Sequence, residues 1–463
     1  MLEMLMSNYE LRITNHKSNK LIIRNLKLVM YSVWFLILAL PSSPAAKTLH
    51  VGTDYVTIGG ALEDAHDGDV IEVDGGKYKE SLKIQKNVHL KGVNNPVISA
   101  PDGRIIEVIS PGVIIDGFTF TYDAPALSAS SSAIYIDKGA DGVIIRDNRF
   151  RNVLFGIWNV EGRDIRIERN SITGVKIEDT NYRGNCVNLT GSQNVHVIDN
   201  TLNYCRDGIY MELCHDAEVT GNNITDSRYS VHTMWVDRGN FSNNTAAGNL
   251  VGLAIMYTKH SQINGNYAYG NRTHGLLLIQ TVRSEISSNV VIGNTKGIFL
   301  YNSVYNEIKG NLAMNNQLGI HSWGGSEDNI IHGNSFINNE IQVKFIAGRD
   351  QKWDNNFWSD YIGWDMTDDG RGDLPYESNS VVDYIFWRYP VAKVLFASPA
   401  LHVLWMLEKQ FPILDVPKVI DAAPLMMSGH KDWKELRDKY SYYKPERIYG
   451  DIEKLPHLPG GSQ

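Results

Sequence analysis

Apolar and polar positions alternate in short bursts along most of this chain, and the bursts recur at a fixed interval. From about residue 130 to about residue 340 an asparagine returns at Asn148, Asn170, Asn200, Asn222, Asn244, Asn266, Asn289, Asn311 and Asn334, with spacings of 22, 30, 22, 22, 22, 23, 22 and 23. A constant period of this size marks a repeat architecture. The one long interval implies an eight-residue insertion, which we place at Lys176 to Arg183. Most repeats carry a segment of the form small-apolar-x-apolar: Gly208-Ile209-Tyr210-Met211, Gly252-Leu253-Ala254-Ile255, Gly275-Leu276-Leu277-Leu278, Gly297-Ile298-Phe299-Leu300. Alternation of that kind gives a strand with one apolar face.

A helical repeat needs two amphipathic helices, and 22 residues broken by Gly and Asn are too few for them. Strands of three to five residues joined by turns do fit. The pattern therefore predicts an all-β chain, a right-handed, single-stranded parallel β-helix with coils of about 22 residues. Asparagine tolerates left-handed backbone angles and bonds neighbouring amides, so the recurring Asn should stack into a ladder along the coil axis. Residues 47 to 123 read as the first, irregular coils, with a short helix near Ala61 to Ala65 covering the open end. Ser398 followed by Pro399 is a helix start, and Val403, Leu404, Leu407 and Phe411 put an apolar stripe on the helix it opens, which ends before Pro412. The tail after residue 427 is polar and is expected to be extended.

The N-terminus changes the cellular picture. Lys17, Lys20, Arg24 and Lys27 precede an apolar run from Val29 to Leu40, and Ser42-Ser43-Pro44-Ala45-Ala46 follows. Basic residues, a short apolar core and a small-residue cleavage site make an export signal. At about twelve residues the run is shorter than the ~20 that span a bilayer. We accordingly divide the chain into a signal at 1–46, the β-helix at 47–350, a capping region at 351–390, and a C-terminal helix and tail at 391–463 that docks a partner. A net charge of −8 and the lack of basic clusters exclude a nucleic-acid partner. Cys186, Cys205 and Cys214 are read as small apolar fillers, their pairing not being readable from the sequence.

After the repeats come Asn356-Phe-Trp-Ser-Asp-Tyr361, then Gly363-Trp-Asp-Met-Thr-Asp-Asp-Gly-Arg-Gly-Asp-Leu-Pro-Tyr376, Trp387-Arg-Tyr-Pro390, Ser398-Pro399 and Ala423-Pro-Leu-Met426. Together with the Asn-turn coils, this block resembles the NosD family, accessory proteins of nitrous oxide reductase maturation, from the signal to about residue 426. The resemblance implies a periplasmic protein that handles copper, as Cu(I). It implies four partners: a membrane permease and a cytoplasmic ATPase forming an ABC-type transporter, a copper chaperone lipoprotein, and nitrous oxide reductase itself. The chain has no Gly-x-x-x-x-Gly-Lys-Ser/Thr phosphate loop, so it is expected to be no enzyme and to leave ATP hydrolysis to a partner.

Soft thioether and imidazole donors select copper, which directs attention to Met and His. Aligning the coils on their glycine puts Tyr210, His232, Ala254, Leu277 and Phe299 in one column and Glu212, Met234, Met256, Ile279 and Tyr301 in another two places on. Ile209, Met211, Ile255 and Leu300 take the inward positions, so both columns should face outward. With coils ~4.8 Å apart and same-face neighbours ~7 Å apart along a strand, His232, Met234 and Met256 can converge on one ion. The competing reading is that a covering segment packs against them. Met426, Met427 and His430 form a fallback set. Asp365, Asp368, Asp369 and Asp373 lie in an Asp/Gly stretch like a calcium loop, although it lacks full EF-hand spacing and a closing Glu. A turn that merely bends the chain is the preferred reading there. A polysaccharide lyase, hydrolase or epimerase is the alternative function, and it calls for stacked carboxylates that the outward columns do not offer.

Overall fold

In a computed structural model of the chain the described residues are 46–122, 131–346, 350–378 and 419–442, with isolated positions between 391 and 407. The signal expected at 1–46 lies, but for its last residue, outside them. Pro399, Val403 and Leu407 are helical where described, at the expected helix, and the rest of that helix also lies outside. Among the described residues no helix is long and apolar enough to cross a membrane.

Each coil contributes one strand to each of three parallel sheets, of sixteen, thirteen and twelve strands. One coil runs Asn240–Ser242 in the first sheet, Thr245–Ala247 in the second and Val251–Met256 in the third. Inward residues stack in register: Val219, Phe241, Ile263 and Ile286 are aligned Cα to Cα across four coils, and each is fully buried. This is the expected solenoid, and the insertion falls where it was placed, as a loop holding a 3-10 turn at Thr180–Tyr182.

The expected ladder is present and buried. Backbone N and side-chain Nδ2 of each Asn donate to Oδ1 of the Asn one coil further on, as in Asn244 to Asn266, 2.9 and 3.0 Å. One detail of the expectation is corrected. The left-handed residue is the one before the ladder Asn, for example Asp199 (φ 54), Gly221 (φ 69) and Asn243 (φ 55). The asparagines are selected for their side-chain reach between coils, and their neighbours turn the chain.

Both ends are closed. At the N-terminal end a helix at Ile58–Asp64 buries Ile58, Ala61 and Leu62 over the first coils, close to the expected Ala61–Ala65. Glu80 accepts from the amides of Ile58 and Gly59 at 3.0 and 2.9 Å, satisfying donors that the first helical turn leaves unpaired. At the other end Tyr376–Ser378 and Val419–Asp421 form the one antiparallel pair among the described strands. Trp358 is buried there between Phe336 and Tyr376, with ring centroids at 4.6 and 4.3 Å.

The three cysteines lie in the packed core, as expected, and the pairing that the sequence left open is a Cys186–Cys205 disulfide, with Cys214 free. One expectation fails. The tail is not simply extended: Trp433–Lys439 is a helix, and Leu436 and Tyr440 pack against Ile292, Leu312 and Met314 on the outer face of the second sheet. Those outward residues are apolar, which is why the tail folds back onto them.

Candidate functional site

The third sheet carries the candidate site, because its strands are the longest, six residues each from Asp207 to Trp323. The register is the one read from the sequence. Tyr210, His232, Ala254, Leu277 and Phe299 are aligned from strand to strand, as are Glu212, Met234, Met256, Ile279 and Tyr301. Both columns lie outside the coil core, as expected. They are not exposed, however. Met234, Met256, Leu277, Ile279 and Phe299 form a second apolar cluster of their own, and His232, Met234 and Met256 are 1%, 6% and 1% exposed.

His232 is the polar centre of this layer. Its Nδ1 lies 2.9 Å from Oδ2 of Asp207 on the preceding coil. Arg228 grips the same carboxylate with two donors, Nε at 2.8 Å and Nη2 at 2.7 Å. Burial alone would push the Asp207 carboxyl up, but the hydrogen bond from His232 and the Arg228 guanidinium reverse that and hold it well below the usual carboxylate range. The rings of Tyr210 and Tyr229 meet the imidazole edge-on at 5.0 and 4.8 Å. His232 Nε2, in contrast, is buried and has no hydrogen-bond partner. Buried polar atoms are nearly always satisfied, so this orphan nitrogen, two residues from one Met and in the strand beside another, stands out. An imidazole nitrogen and two thioethers are donors of the kind that selects Cu(I).

The same face holds two imidazoles that the sequence reading undervalued. Neither His274 nor His321 is among the ligand candidates read from the sequence. His321 is aligned with Phe299 and fully buried, and His274 contacts that ring from the other side; their ring centroids lie 5.0 and 5.2 Å from it. All four nitrogens of the pair lack hydrogen-bond partners. Burial, then nearby Lys296, holds both imidazoles far below their ordinary pKa, hence neutral.

The other metal candidates are turned to structural use. Asp365 accepts from the amides of Asp369 and Gly370 at 3.3 and 2.8 Å, Asp369 from that of Arg371 at 3.0 Å, and Asp373 from that of Met366 at 2.6 Å. Asp368 sits at φ 55. Among the described residues no three His, Cys, Asp or Glu side chains are grouped to hold a metal, and the bonds of Asp365, Asp369 and Asp373 to amides of their own loop fit the turn preferred from the sequence. In the tail, His430 Nε2 is engaged with the Gly310 carbonyl at 3.0 Å, and Met427 is 79% exposed.

Comparison with known proteins bears on this face. The family described as periplasmic copper-binding protein (NosD) matches residues 169–363, which include the whole site. A protein of Stutzerimonas stutzeri named probable ABC transporter binding protein NosD is 33% identical over 371 residues, covering 76% of this chain and 85% of its own length. One of the same name from Pseudomonas aeruginosa is 32% identical over 370 residues, covering 76% and 86%. Among solved structures, the Dettilon tailspike protein aligns with TM-score 0.50 at 14% identity, over 60% of this chain and 62% of that one, a likeness of fold alone.

Proposed function

Since the chain belongs to the NosD family of periplasmic copper-binding proteins, we infer that it receives and hands on Cu(I) as cargo, at His232 Nε2 with Met234 and Met256. The observation that carries this reading is the orphan Nε2, buried on the outward face beside two methionines in adjacent coils. Two thioethers and an imidazole are soft donors that carry no charge of their own, so the bound ion keeps its single positive charge, and thioethers are poor ligands for zinc. The names of the two relatives support placement beside an ABC-type transporter, and the maturation of nitrous oxide reductase is the purpose we assign to the cargo. The chaperone lipoprotein then serves as donor and the permease as membrane anchor. We place the anchoring contact in 391–418, because the described residues after 419 are engaged with the solenoid. X-ray absorption of the Cu(I)-loaded protein tests the site: a first shell of mixed sulfur and nitrogen is expected, and a shell of nitrogen and oxygen alone would exclude it.

A further inference from the structure

We propose that Asp207 and Arg228 are positioning residues: together they fix His232 as the tautomer protonated on Nδ1, so that the Nε2 lone pair is presented to the metal. The proposal deepens the copper reading and rests on it. A carboxylate at 2.9 Å from Nδ1 accepts a hydrogen bond from a proton held on that nitrogen and leaves Nε2 bare. Asp207 is itself held from two sides. Arg228 binds both its oxygens, and its backbone amide donates to Asn185 Oδ1 at 3.2 Å. The edge-on rings of Tyr210 and Tyr229 then fix the plane of the imidazole.

Two comparisons within the molecule separate this arrangement from the scaffold. The ladders that build the solenoid repeat on coil after coil, whereas a carboxylate shared by a histidine and an arginine is buried at this one step and partly exposed at the other two, His89–Asp116–Arg146 and His260–Asp237–Arg238. The coils that follow place Tyr229, Val251, His274 and Lys296 in the Asp207 column, and that one step is the step next to Met234. A buried ion pair, moreover, adds little to stability compared with apolar residues of similar size, because the desolvation of both charges offsets their attraction. What the clamp supplies that Leu and Met would not is a fixed proton.

The test is Asp207→Leu combined with Arg228→Met, which removes both charges at once and leaves no lone buried ion, with circular dichroism as the check on fold. Histidine-selective 15N NMR of the metal-free protein reads the tautomer directly. The wild type is expected to show His232 protonated on Nδ1 alone, and the double variant a mixture of tautomers. Cu(I) affinity in the double variant is expected to fall by about 10- to 100-fold, the usual effect of losing such a partner. Asp207→Asn keeps an oxygen within reach of Nδ1 and should retain the wild-type tautomer. A double variant with an unchanged tautomer and unchanged Cu(I) affinity would overturn the clamp while leaving the copper site standing. A wild type that binds no Cu(I) would sink the copper reading, and with it the role assigned here.

Discussion

His232 has a carboxylate on one ring nitrogen and no partner on the other, whereas His274 and His321 have none on either. The difference has a consequence for stability. In the folded protein the latter two imidazoles stay neutral well below the ordinary histidine pKa, while in the unfolded chain they protonate near ~6.5. The unfolded state therefore binds more protons below that pH, and stability falls as pH falls, by up to about 1.4 kcal/mol per pH unit for each residue. His321→Phe, flanked by Phe299 and Trp323, is expected to flatten the loss between pH 6.5 and 5 in denaturant titrations. A slope identical to wild type would show that His321 is not the source. The sequence made the His232 column legible because the 22-residue period carries the register through Ser230, which stands where the neighbouring coils have Gly208 and Gly252. It hid Asp207, because a carboxylate three residues before Tyr210 reveals its partner only when the next coil is laid over it. His321 was missed for a related reason: reading columns for soft neighbours finds ligands, not buried imidazoles packed on an aromatic ring.

At the scale of elements, hydrogen-bonded columns hold the coils in register, and there are more of them than the single Asn repeat announced. A second ladder runs Ser227, Asn249, Asn271, Asn294, Asn316 and Asn339, and a third runs Ser261, Ser284, Asn306 and Asn329. Serine stands in for asparagine at Ser227, Ser261 and Ser284, which shortens the run of one letter in each column. The first ladder ends on a residue far away in sequence: Asp421 Oδ2 accepts from Asn356 N, Asn356 Nδ2 and Trp358 Nε1 at 2.9, 3.1 and 3.0 Å. Every Asn in that column points its donors toward this end, so the carboxylate meets the accumulated positive end of the column. Asp421→Ala leaves three buried donors unmade, at about 1–3 kcal/mol each, and is expected to lower stability by about 3 kcal/mol or more. Hydrogen exchange at Asn356 should rise in step; an unchanged exchange rate would mean that another group takes over the cap. The disulfide acts on the other state. Cys186 and Cys205 close a loop with a sequence separation of 19, so replacing both by Ser should cost about 3 kcal/mol, seen as a lower denaturation midpoint. Equal midpoints would mean the bridge constrains nothing. It was illegible from spacing alone, because a separation of 19 is three short of the 22-residue period and puts the two cysteines at different positions of successive coils.

Among the described residues the solenoid is closed at both ends, with a buried outer layer along one sheet and a C-terminal segment packed back on its second sheet. Most of that plan was readable from period and alternation, because each coil contacts chiefly its neighbours and one repeat specifies the rest. The return of the tail was not, since it depends on apolar residues exposed by strands more than a hundred positions earlier, such as Leu312 and Met314 against Leu436 and Tyr440. The return also changes how membrane docking should be examined. Truncation at Pro390 would remove Asp421 together with the docking segment. Ser378 and Val419 are paired in the antiparallel register, so residues 380–417 can be replaced by a short Gly-Ser bridge instead. That deletion is expected to keep the wild-type midpoint and to release the protein from a membrane fraction containing the permease; retention there would place the contact on the coils.

The claim that this outer layer is a copper site and not merely packing is met most directly by a competition titration against a Cu(I) chelator, comparing the wild type with Met234→Leu/Met256→Leu. Leucine fills the same apolar layer, so the fold and the denaturation midpoint should change little. The account expects one Cu(I) bound by the wild type and an affinity at least tenfold weaker in the double variant. Equal affinity in the two proteins would contradict it.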